Sequence, residues 1–280
     1  MPSDQTLSPA AELLRRHDRE RFVTALFAPP EAREGLMALY AFNVELSRVR
    51  ESVREAMAGM IRLQWWREVL DGRRDEEAAR HPVAAPLLQV VRARELPLTS
   101  FEQILTAREK DLVATPFATQ LEFECYAFET AGLLAELAVA ALGARDESSR
   151  AAAQFVGQAW AITGLMRALP VHLGQGWMTL PEDMLVQAGS SQQELGAGQT
   201  SPAALAAVLA ELGRRARWYL REARRHRPPR RAVPVLLQAT QASVHLRALE
   251  RAGWNAFDAS VLRPRPMPLR LACNAMLGRY

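Results

Sequence analysis

Glu51 is the one acidic residue on a helical face whose spacing would suit a metal-bound diphosphate. In the segment Tyr40-Ala-Phe-Asn-Val-Glu-Leu-Ser-Arg-Val-Arg-Glu51, residues Tyr40, Val44, Ser47 or Arg48, and Glu51 fall along one side at three- and four-residue intervals. Carboxylates one turn apart can hold magnesium ions that bridge to diphosphate oxygens and stabilise a departing group. Glu51 supplies one such oxygen, and Ser47 and Arg48 do not supply the others. Without a metal, Glu45, Arg48, Glu51 and Arg54 read as a solvated mixed-charge stripe, the commoner outcome for a helical charge run.

A second window, Gly157 to Asp183, places Gly164, Ala168 and His172 at four-residue intervals, and none of them is a carboxylate. Pro170 removes a backbone donor and crowds the preceding turn, so the helix is predicted to kink or stop just before it. His172 then reads as a loop-end histidine hydrogen-bonded locally. The histidines, at 17, 81, 172, 226 and 245, have no paired ligand spacing, so no metal site is expected from them. There is no glycine-rich phosphate loop, nucleophile elbow or zinc-protease motif. Cys125 and Cys273, the two cysteines, lie in apolar helical contexts and read as core. They cannot form a disulfide framework, so a reducing compartment is the default.

Helices must position these residues. Of 280 residues, 49% are hydrophobic and 24% charged, an ordinary globular balance. Ser8-Pro9 reads as a helix start, with the helix running to about Phe27. Pro29-Pro30 opens a second helix, and Met57 to Leu70 forms a third in which Trp65 reads as a buried aromatic. Further helices are predicted over 83–95, 100–115, 119–143, 148–169, 202–226, 232–252 and 266–277. No segment alternates long enough to be a strand, although Met178-Thr179-Leu180 suits a short extended piece. Gly189 to Ser201 reads as a loop. The expected architecture is all-α, one domain over residues 1–280.

The formal net charge is +4, and Lys110 is the lone lysine. The basic residues gather between Leu212 and Arg231, where Arg214, Arg217, Arg221, Arg224 and Arg225 follow helical spacing beside Trp218. One reading is attraction to an anionic membrane surface. The other is a solvated face with Leu220 and Trp218 packed inward, favoured because Glu211 and Glu222 interrupt the run. Stacking aromatics are too few for single-stranded nucleic acid, and no nucleic-acid partner is expected. The start, MPSDQTLSP, is neither a secretory signal nor a transit peptide in composition. No apolar run approaches the roughly 18–20 residues needed to span a bilayer.

The ordered segments RFVTALFAPPEAREGLMALYAF, RLQWWREVL, HPVAAPL, EKDLVATPFATQLEFECYAFETAG and GLMRALPVHLGQGWMTLPEDMLVQAG resemble the squalene/phytoene synthase family over most of the chain. The resemblance implies an isoprenoid-synthase-type helical bundle around a central cavity, with two metal-binding faces at its mouth. Enzymes of that family carry aspartates where this chain has Ser47, Arg48 and Glu51, and again where it has Gly164, Ala168, Val171 and His172. Arg167, Leu180, Pro181, Asp183, Asp111 and Tyr126 match the pattern. The candidates for the cavity or diphosphate region are therefore Tyr40, Asn43, Ser47, Arg48, Glu51, Asp111, Tyr126, Gly164, Arg167, Ala168 and His172. Arg48, Arg50 and Arg167 supply positive charge suited to phosphate, a poor substitute for metal ligands in ionisation.

The strings AFNVELSRVRES, LMRALPVH, LPEDM and PLRLACNAMLGRY are most similar to a diverged branch of the family, the complex I assembly factor branch. That resemblance implies a catalytically degenerate protein without cofactor that acts by binding complex I subunits or assembly intermediates. Two alternatives stand beside it: a prenyltransferase with a degenerate Mg2+ site, and a non-catalytic isoprenoid or lipid carrier. The carboxylate count separates the first alternative from the assembly reading, and the lining of the cavity tests the second. The expected location is the cytoplasm, peripheral on the inner face of the cytoplasmic membrane if attached, or the matrix side of the mitochondrial membrane in a mature eukaryotic form.

Overall fold

The computed structural model describes residues 7–53, 55–263 and 267–280, and all regular structure among them is helical. Arg54 and Pro266, which the sequence reading placed on a charge stripe and at a helix start, lie outside the described residues.

Ser8 caps α1 (Pro9–His17) by accepting the Ala11 N–H, with proline in the first turn. The helix predicted to reach Phe27 is broken at Asp18, whose carboxylate accepts the Arg21 N–H and starts α2 (Arg19–Ala25). Next come α3 (Pro30–Ser47) and the short α4 (Val49–Ser52), separated at Arg48. Helices α5 (Ala56–Leu70), α6 (Asp75–Arg80), α7 (Ala84–Ala93) and α8 (Leu98–Val113) follow. The helix predicted over 119–143 is three pieces: α9 (Gln120–Ala127), a π-helical turn (Phe128–Gly132) and α10 (Leu133–Ala141). Helix α11 (Glu147–Gly174) is the longest, with 28 residues. The remainder comprises α12 (Glu182–Gln187), α13 (Gln192–Gly196), α14 (Pro202–Ala223), α15 (Val233–Leu236), α16 (Gln238–Arg251), α17 (Ala259–Leu262) and α18 (Pro268–Leu277). The Met178–Leu180 segment is not a strand, and α13 interrupts the predicted Gly189–Ser201 loop. No helix among the described residues is long and apolar enough to cross a membrane.

Helix α11 runs through the middle, packed on α14, α16, α10 and the π-turn. Gly157 allows the last of these contacts: a Cβ there would stand 2.2 Å from the carbonyl oxygen of Ala131. Phe42 on α3 anchors the other half, edge-on to Trp66 (4.9 Å between ring centres) and Phe101 (5.5 Å). Trp66 is the buried tryptophan of the pair. Trp65, expected in the core, is half-buried and donates its indole N–H to Glu77 at 2.9 Å.

Two further expectations are corrected. Pro170 does not end its helix, because α11 continues to Gly174. The turn after the proline is held by bonds from the N–H groups of Gln175 and Trp177 to the carbonyl of His172. Cys125 and Cys273 are exposed. The helices that carry them bury other faces, Phe123, Tyr126 and Ala127 on α9 and Leu271 on α18.

Gly157→Ala should lower stability by about 2–3 kcal/mol, because the methyl group meets backbone that cannot swing aside. Urea unfolding measures it. A gain of the ~0.5–1 kcal/mol usual for Gly→Ala within a helix would contradict this account of the α11 packing.

Candidate functional site

Arg50 links the two windows, α3–α4 and the end of α11. Arg50 donates from one terminal nitrogen to the carbonyl of Asp111 (2.5 Å) and from the other to that of Gln175 (3.0 Å). Its guanidinium also lies over the Trp177 ring, 5.7 Å from the centre. Trp177 in turn packs on His172, with 4.7 Å between ring centres. One side chain thus joins α4, the end of α8 and the turn after α11. Deeper in the bundle, the Arg21 guanidinium lies 5.6 Å from the Tyr40 ring and 5.8 Å from the Trp160 ring, joining α2, α3 and α11. Arg21 also donates to Asp18 (2.8 Å) and Gln238 (3.2 Å), and Gln238 donates to the Tyr40 hydroxyl (2.9 Å).

Asp111, Tyr126 and Asn43 do come together. The Tyr126 hydroxyl donates to Asp111 at 2.7 Å, and Arg108 donates to Asp111 (3.0 Å), Tyr126 (3.1 Å) and Asn43 (3.2 Å). Burial pushes the Asp111 carboxyl up, and Arg108, Tyr126 and Arg50 pull it back. Arg167 faces another group, pairing with Glu20 on α2 at 3.3 Å, and Glu20 also meets buried His245. Burial raises the Glu20 carboxyl, but His245 and Arg167 outweigh it and hold the group below its ordinary range. Gly164 has open space where a side chain would stand, and Ala168 is half-buried.

These residues do not fit a magnesium–diphosphate centre. Ser47 donates its hydroxyl to the Val44 carbonyl at 3.1 Å. Arg48 lies 3.0 Å from the His17 ring and 3.4 Å from Glu51. Burial, and then Arg50, depress His172 to about 4, so it is a neutral imidazole at neutral pH. Among the described residues no three His, Cys, Asp or Glu side chains group as metal ligands would. Where carboxylates would gather cations, guanidiniums of Arg48 and Arg50 stand instead, and a divalent ion would meet like charge.

The family is settled by comparison. The model of the squalene/phytoene synthase family matches residues 14–270. The chain belongs to that family. A curated relative, the "NADH dehydrogenase (ubiquinone) complex I, assembly factor 6" of Mus musculus, is 31% identical over 96% of this chain and 81% of its own length. The phytoene synthase of Thermus thermophilus is 29% identical over 75% of this chain and 71% of its own length. Among solved structures, a dehydrosqualene synthase in complex with ligand superposes with a TM-score of 0.80 at 16% identity, covering 96% of this chain and 94% of that one. The squalene synthase HpnC from Alicyclobacillus acidocaldarius gives 0.75 at 22% identity, covering 89% and 94%. These structures establish the isoprenoid-synthase fold.

The basic run is largely engaged within the protein. Arg214 pairs with Glu211, Arg217 with Glu250 and Arg225 with Glu222, while Arg224 donates to the Tyr280 carbonyl. Trp218 packs edge-on to Phe155 and beneath the guanidinium of Arg215. Arg221 is exposed on the helix surface.

Sequence reasoning missed Arg21 and Arg108 as site residues. Arg108 carried a signal, its three-residue spacing to Asp111. Arg21 has the same spacing to Asp18, but nothing local signals its contacts with Tyr40, Trp160 and Gln238 on three distant elements. It also missed a pocket of about 440 Å³ on the outer side of α3, lined by Glu45, Arg48, Arg62, Trp65, Trp66 and His81 among others. His81 comes within 3.8 Å of Glu45, yet this is not an ion pair at neutral pH. Burial raises Glu45 to about 7 and lowers His81, so each is driven toward its neutral form.

Two predictions follow from these environments. Asp111→Ala should cost about 3–5 kcal/mol by leaving Arg108 buried and unpaired, whereas Glu51→Ala should cost less than about 1 kcal/mol; denaturant titration of both variants decides it, and equal costs would refute the assignment. Because the Glu45 carboxyl is raised on folding, its contribution is full below its unfolded value and is lost as pH rises toward 7. Glu45→Gln should therefore leave thermal stability unchanged near pH 4 and raise it near pH 8, and a gain at acid pH alone would reverse that sign.

Proposed function

We propose that this chain supports the assembly of respiratory complex I by binding a subunit or assembly intermediate, and that it condenses no prenyl diphosphates and uses no magnesium cofactor. The observation that carries this is the Arg50 bridge from Asp111 to Gln175, beside the positions where the two carboxylate clusters would stand. Ionising a prenyl diphosphate needs cations held against the departing group. Here only Glu51 remains acidic at the cluster positions, and it lies beside Arg48. The naming of the 31%-identical relative as a complex I assembly factor supports the cellular role.

The carrier reading has less support. Between Tyr40 and Trp160, inside the bundle, the space an apolar chain would need is filled by the buried Arg21 guanidinium, paired with Asp18 and bonded to Gln238. We place the protein peripherally on the membrane face where complex I is built.

Deleting the gene should lower assembled complex I activity and leave squalene and carotenoid levels unchanged. Glu51→Ala should restore complex I. Trp66→Ala should not, because truncating that buried aromatic costs roughly 3–5 kcal/mol. Calorimetry of the purified protein with farnesyl diphosphate should give no large gain on adding magnesium. Normal complex I with a lost terpenoid product, or strongly magnesium-dependent diphosphate binding, would sink the proposal.

A further inference from the structure

The last helix is apolar on the side that faces away from the bundle. Its inner side is fixed: Leu271 packs with Val233 and Leu237, and Asn274 donates to Thr240 at 2.8 Å. Beyond the helix, the Tyr280 hydroxyl donates to the Ala223 carbonyl at 2.8 Å, tying the end of the chain to the end of α14. The outer side presents Leu269, Cys273 and Met276 at four- and three-residue spacing, with Leu277 beside them. Leu269 is 82% exposed, Met276 75% and Leu277 59%. A docked surface helix is expected to show water a polar stripe, and α18 does the reverse.

Arginines gather beside this stripe. Arg270 lies on α18 itself, Arg247 and Arg251 on α16, Arg217 on α14 and Arg224 just past its end. Arg224 donates to Ser243 at 3.3 Å and Arg217 to Glu250, so both reach from α14 to the helix that carries Arg247 and Arg251; burial, and then Arg270, Arg251, Arg217 and Arg224, lower Arg247 from its ordinary value. Glu250, on the same helix as Arg247 and Arg251, is held by both terminal nitrogens of Arg217, at 3.0 and 2.6 Å.

We propose that α18 and this arginine patch are the face by which the protein docks on an anionic bilayer. The helix lies along the headgroup boundary, Leu269, Met276 and Leu277 enter the apolar edge, and Arg247, Arg251 and Arg270 meet lipid phosphates. Exposed aliphatic side chains flanked by guanidiniums are the composition of an interfacial helix. Arginine matches phosphate oxygens in geometry as well as charge. A two-fold contact with a second copy would set one arginine patch against another. This face, rather than the Arg214–Arg225 run as a whole, offers apolar and basic groups together. The inference rests on the peripheral location proposed above and adds the surface that achieves it.

Co-sedimentation of the full chain with phosphatidylcholine vesicles containing roughly one-third phosphatidylglycerol tests it. The protein should bind these vesicles, bind pure phosphatidylcholine weakly, and lose affinity as salt is raised. The double variants Leu269→Glu/Met276→Glu and Arg247→Glu/Arg270→Glu should each bind about tenfold more weakly or worse. Arg73→Glu, on the exposed turn between α5 and α6, should bind as the unmodified protein does. Thermal melts of the four proteins establish that the losses are not unfolding. Binding that both double variants retain would overturn this face and leave the peripheral location standing; no binding to anionic vesicles would overturn both. Sedimentation velocity without lipid provides a separate check. A dimer that Leu269→Glu/Met276→Glu dissolves would assign the stripe to a second copy and refute the proposal.

Discussion

The backbone-to-backbone approach of α11 to the π-turn is the constraint on which the bundle depends. Gly157 and Gly132 face each other there, with no room for a side chain on Gly157. A π-turn widens the helix locally and shifts the register of everything after it. Before the turn, Tyr126 on α9 meets Asp111; after it, α10 buries Leu133, Leu134 and Leu137 in the same core. Helix α11 can then pass close enough to carry Trp160 and Arg167 to the arginine–carboxylate groups contributed by α2.

The charge between these helices is arginine-rich. A synthase of this family would concentrate cations around diphosphate there. This chain holds guanidiniums there, neutralised within the protein: Arg108 by Asp111, Arg21 by Asp18 and Arg167 by Glu20. Each pair joins two or more elements or seats an arginine that does. These pairs tie the structure together.

Much of the fold was legible in the sequence because helix signals are local. Ser8-Pro9, Pro29-Pro30 and the long periodic stretches mark their helices directly. The misreadings share one cause, tertiary contact overriding a local rule. Pro170 should stop a helix, but the turn beyond it is held by Gln175, Trp177 and Arg50. Trp65 and Trp66 are neighbours in sequence, and only the contact with Phe42 says which one is buried. In the site, the missing carboxylates could be read residue by residue. Their replacement by bridging arginines could not, because the partners of Arg21 and Arg50 lie up to 217 and 125 residues away.

The Arg50 bridge has a consequence for how this branch tolerates change. Both of its acceptors are main-chain carbonyls, at Asp111 and Gln175. Every residue type offers the same oxygen, so substitution of either side chain leaves the acceptor in place. The tie between α4, α8 and the turn after α11 therefore needs one particular side chain, that of Arg50. A change at Gln175 leaves the bridge closed, whereas loss of the Arg50 guanidinium opens it at both ends.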